Sequence, residues 1–61
     1  MLTIMGKEIS LHEHEGQRFA VVRNGTVNHK TDPRDNLDDV VEDVMRVLYD
    51  LRTMELERAH Q

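Results

Sequence analysis

Leu37, Val40, Val41, Val44, Val47, Leu48, Leu51 and Met54 recur at helical spacing, which lines their side chains along one stripe of an amphipathic α-helix. Everything before Pro33 reads as short strands broken by glycine. A helix from Leu37 to Arg58 is about 33 Å long at about 1.5 Å per residue, whereas strands of four or five residues span only about 17 Å. The C-terminal half of such a helix overhangs its own sheet. Leu48, Leu51 and Met54 are therefore expected to need a second chain, which predicts a homodimer formed through the helix.

Gly6, Gly16 and Asn24-Gly25 divide the first half into four extended runs, the pattern of a β-meander. With Gly6-Lys7 as a type II′ turn, Ile4 lies opposite Ile9 and Leu2 opposite Leu11. Three-residue loops at His14-Glu15-Gly16 and Arg23-Asn24-Gly25, each with a left-handed glycine, then pair Leu11 with Phe19, Ile9 with Val21 and Val21 with Val27. This register gathers Leu2, Ile4, Ile9, Leu11, Phe19, Val21 and Val27 on one face, and leaves Thr3, Ser10, His12, Arg18 and Asn28 on the other. A two-residue Asn24-Gly25 turn would split that apolar set, so the bulged register is the preferred one. The expected fold is α+β, ββββα, in a single domain over residues 1–61. The meander takes residues 1–31, the turn and cap 32–36, the helix 37–58 and a frayed tail 59–61.

In the connection, Pro33 fixes φ, and Asp32 or Asn36 is placed to cap the helix. Asp38, Asp39, Glu42 and Asp43 crowd the first turns, while Arg46, Arg52 and Arg58 come later. That order suits the helix dipole. The like-charge pairs Asp35 with Asp39 and Asp38 with Glu42, however, cost stability at four-residue spacing.

A chain of 61 residues buries only about 60% of the surface that its unfolded form exposes. Small domains make up the deficit with disulfides, metals or association. The absence of cysteine removes the disulfides and any thiolate metal site. No signal-like or membrane-spanning run occurs, so the chain reads as soluble and cytoplasmic. The net charge of −4 is unevenly placed. Lys7, Arg18, Arg23 and Lys30 face only Glu8, Glu13 and Glu15 in the first half, while the second half sets four arginines against nine acids. An acidic helix disfavours a phosphate backbone, so direct nucleic-acid binding is not expected.

His12 and His14 alternate along a strand and are weak candidates for a divalent-metal site. Spacing fixes no third ligand, the loop at residues 14–16 places His14 in a turn, and His29 falls on the core-facing side near Phe19. No nucleophile elbow, P-loop, dinucleotide fingerprint or helical His-Glu-x-x-His is present. Neither catalysis nor a cofactor is expected.

The residues that look most like a binding surface are Asp38, Glu42, Met45, Tyr49, Arg52 and Leu56. They fall within about 80° of arc at about 100° per residue, and they mix an aromatic, an arginine and acids as interface centres do. The expected function is a non-enzymatic protein–protein interaction or regulatory module, a homodimer that binds another, unidentified protein. The alternative is an acidic charge mimic that blocks a nucleic-acid-binding partner. A sheet followed by one acidic helix resembles, in layout alone, some antitoxins and small phage or mobile-element accessory proteins.

Overall fold

The computed structural model describes residues 1–59; the expectation for the last two residues of the tail lies outside them. Four antiparallel strands form one open sheet in the order β1-β2-β3-β4, followed by a single helix. The strands are β1 Leu2–Ile4, β2 Lys7–His14, β3 Gln17–Asn24 and β4 Val27–Lys30, and the helix α1 is Leu37–Ala59. The ββββα architecture is the one expected. No helix among the described residues is long and apolar enough to cross a membrane.

All three connections are two-residue turns, and this changes the register. Ile4 pairs with Lys7 and Leu2 with Ile9, so the first turn is Met5-Gly6, with φ of 53° and 77°. His14 pairs with Gln17 and Leu11 with Ala20, which makes the second turn Glu15-Gly16, with φ of 52° and 79°. Two consecutive positive φ values are the type I′ geometry, whose twist matches that of the flanking strands. Asn24 pairs with Val27, and of the two turn residues only Gly25 has positive φ, at 62°. Gly25 is thus left-handed as expected, but it leads a two-residue turn and is not a bulge.

The bulged register is therefore wrong. The first turn moves β1 by two residues against β2, which leaves faces unchanged. The second moves β3 by one, which turns every β3 side chain over. Ala20 and Val22 are fully buried under the helix, while Phe19 and Val21 lie on the sheet's outer face. The third moves the pairing by an odd number again and returns Val27 to the helix side. Arg18 likewise stands on the helix face, opposite Glu13.

The core consists of Ile9, Ala20 and Val22 from the sheet and Val40, Val44, Leu48 and Leu51 from the helix. Ile4, Met45 and Val47 pack around it. The helix starts beside Leu11 and ends beside Lys7, whose Nζ donates to Glu55 Oε1 at 2.6 Å. It therefore runs alongside β3 in the same direction. Strands of eight residues reach about 27 Å at about 3.4 Å per residue, well beyond the length expected. For that reason Leu48 and Leu51 are 1% and 3% exposed within one chain, and neither is left waiting for a second copy. Met54, 51% exposed, is the only one of the three outside the core.

The sheet-to-helix connection continues the β3 ladder. Thr31, itself buried, donates its N–H to the Ala20 carbonyl at 2.9 Å, and its Oγ1 accepts the Ala20 N–H at 2.9 Å. Arg34 and Arg18 then exchange both backbone bonds, at 2.7 and 2.8 Å. Two steps along β3 thus match three along the connection, and the extra length falls where Pro33 has no N–H to offer. Asn36 is the cap: its Oδ1 accepts the Asp38 N–H at 2.9 Å.

Thr31→Val keeps the shape but leaves the Ala20 N–H buried without an acceptor. It is expected to cost about 1–3 kcal/mol in chemical denaturation, whereas Thr31→Ser retains most of the stability.

Candidate interaction surface

The periodicity that buries Val40, Val44, Leu48 and Leu51 turns another strip of α1 away from the sheet. Asp38, Glu42, Tyr49, Arg52 and Leu56 are exposed on it and Met45 is half-buried at its border, so the strip read from the sequence exists as one face. Tyr49 and Leu56 are 54% and 53% exposed, and they lie about 10 Å apart along the axis at about 1.5 Å per residue. Thr53, between them, donates its Oγ1 hydrogen to the Tyr49 carbonyl at 2.9 Å, which keeps its hydroxyl off the strip. Arg52 borders a shallow depression with Met5, Lys7, Leu48 and Glu55, on the β1 side of the helix.

The acidic run is divided between two environments. Asp43 is half-buried and is held by Arg34, whose Nε and Nη2 donate to its two oxygens at 2.9 and 3.3 Å. Arg46 stands 3.9 Å from the same carboxylate. The hydrogen bonds to Asp43, then its charge, raise the pKa of the Arg34 guanidinium above its ordinary value, with smaller contributions from Asp39 and Asp32. Asp35 accepts from Gln17 Nε2 at 3.3 Å. Asp38, Asp39 and Glu42 are exposed and form no ion pair among the described residues.

His14 ends β2, so it shares the outer face with His12 and does not lie in the turn where the longer loop had placed it. The two imidazoles nonetheless have separate partners. His12 Nε2 is 3.0 Å from Ser10 Oγ and its ring stacks on Phe19, with centroids 5.2 Å apart and planes at 19°. His14 is 3.8 Å from Glu15. His29 pairs with Val22 on the helix face, with the sheet between it and Phe19. No group of three metal-ligating side chains occurs among the described residues.

The basic residues of the first half are also dispersed. Lys7 and Arg18 belong to the helix face, while Arg23, 3.8 Å from Glu8, and Lys30 belong to the outer face. Lys30 Nζ sits 4.6 Å from the Phe19 ring centroid, a cation–π contact. Sequence reasoning missed this Lys30–Phe19–His12 row because it had turned β3 over.

No protein family, curated protein or solved structure matches the chain.

The division of the helix into buried and outward residues has a direct thermodynamic test. Leu48→Ala is expected to cost about 2–5 kcal/mol, and Met54→Ala to stay within about 0.5 kcal/mol, when both are measured by urea denaturation.

Proposed function

We propose that this chain is a non-enzymatic protein–protein interaction module that recognises its partner through the outward strip of α1. What supports the reading is the placement of Tyr49 and Leu56, two large side chains left half exposed on one helical face with Arg52 beside them. Scattered exposed apolar residues are ordinary. An aromatic, an arginine and a leucine on one rigid helix instead have the make-up of an interface centre, where a few such anchors carry most of the binding energy.

Asp38, Asp39 and Glu42 favour a second reading, an acidic charge mimic directed at a nucleic-acid-binding protein. Charges that form no ion pair among the described residues are available to steer a basic partner, and such association weakens as salt screens it.

Affinity capture from a lysate of the source organism, quantified by mass spectrometry, separates the two. Under the first reading, Tyr49→Ala combined with Leu56→Ala removes the captured protein while helicity is unchanged, and wild-type capture tolerates added salt. Capture that survives this double substitution overturns it. Loss of capture with salt and with Asp38→Asn and Glu42→Gln establishes the second reading instead.

A further inference from the structure

β1 pairs with only the first three residues of β2, from Lys7 to Ile9, so the rest of that edge of β2 has no neighbouring strand among the described residues. The hydrogen bonds around β3 define which backbone groups are left there. Ala20 and Arg18 direct both their N–H and C=O toward Thr31 and Arg34. Their cross-strand partners Leu11 and Glu13 must therefore direct theirs the opposite way, out of the sheet, because bonded and non-bonded pairs alternate in an antiparallel ladder. Leu11 and Glu13 thus present two N–H and two C=O groups at an open edge. Exposed edges of this kind are templates for another strand.

We infer that a second copy of this chain occupies that edge, with the two β2 strands pairing antiparallel about a two-fold axis at His12 to form one continuous eight-stranded sheet. The occupant follows from the spacing. The two outward residues lie one on each side of His12, so a two-fold rotation there sets Leu11 of each copy opposite Glu13 of the other, and all four free groups of each edge are bonded. An axis at Leu11 would bring Glu13 against Ile9, whose edge β1 already occupies. An axis at Glu13 would set Leu11 against the left-handed Glu15. Met1, 91% exposed, stands where His14 of the second copy falls and has to swing aside, and Leu2, opposite Ile9, has to give room to the Glu15-Gly16 turn of that copy.

The side chains fit the same axis. On the outer face the two His12 rings meet in a non-bonded pair, with Cα atoms about 4.5 Å apart. Each already stacks on its own Phe19, so the row across the sheet reads Phe19, His12, His12, Phe19. On the helix face Leu11 lies opposite Glu13 of the second copy, which has Arg18 of its own chain on its far side. Leu11 and Leu37 border one depression and are 52% and 40% exposed. The two β3 strands would stand about 14 Å apart, three spacings of about 4.8 Å, and the N-terminal turns of the two helices would close over that apolar ground. Tyr49 and Leu56, farther along each helix, stay uncovered. The pairing is independent of their role, and a monomer would leave that reading standing.

Because the chain contains no cysteine, a single introduced thiol reports the axis. In His12→Cys the two sulfurs fall within disulfide reach, and mild oxidation is expected to give a linked dimer, whereas Asn28→Cys, two strands away on the outer face, stays monomeric under the same conditions. The unmodified chain is expected to sediment at twice 7.2 kDa at micromolar concentration. Glu13→Pro removes an outward N–H that no bond among the described residues uses, and is expected to yield a folded monomer by sedimentation and circular dichroism. A 7.2 kDa species throughout, equal linking or no linking of the two cysteine variants, or a dimer that survives Glu13→Pro would overturn the inference. Should Glu13→Pro unfold, the cysteine pair alone decides.

Discussion

The direction in which β3 faces is set at the Glu15-Gly16 turn, and the core and the surface both follow from it. Closing the hairpin with two residues pairs Leu11 with Ala20 and Ile9 with Val22, so the side chains under the helix are small and compact. Val40 and Val44 come down on this low surface, and the sheet's only aromatic ring is left outside. The ring is not left bare. His12 covers one side of Phe19 and Lys30 contributes a cation at 4.6 Å from its centroid, so the outer face carries a short ordered row of its own.

With seven residues buried in the apolar core among the described residues, the helix also relies on contacts at its two ends to hold its line along the sheet. Near the start, Arg34 is fixed through its backbone to Arg18 and through its guanidinium to Asp43, which joins β3, the connection and the helix in one residue. Near the finish, Lys7 reaches Glu55. Ion pairs at the surface, each with one half-buried member, add about 1 kcal/mol each. Their importance is positional, because they fix where the helix lies and hence which of its residues remain outward.

The helix was legible in the sequence because its periodicity, its Asn36 cap and its ordered charges agree. The outward strip followed from the same period. The four strands were legible from their glycines, but their register was not. A turn one residue shorter inverts a strand, and nothing in Met5 or Glu15 announces that a side chain other than glycine will accept positive φ. The same shortening lengthened β2 and β3 enough to bury Leu48 and Leu51. Thr31 escaped notice for a different reason: its role is to extend a ladder with a hydroxyl, a contact that exists only once Ala20 is known to lie beside it.

The meander has a kinetic consequence. Each strand pairs only with its sequence neighbour, and each pairing is closed by a turn of two residues, so the sheet can zip from any hairpin at little cost in loop entropy. The return of the helix is the one long closure, bringing Glu55 back to Lys7 across 48 positions. Hairpins and helices form within microseconds, and docking is the step that brings the distant parts of the chain together. Until α1 settles on Ala20 and Val22, the chain is a ribbon and a helix joined by a proline-containing hinge, with no shared interior to hold either.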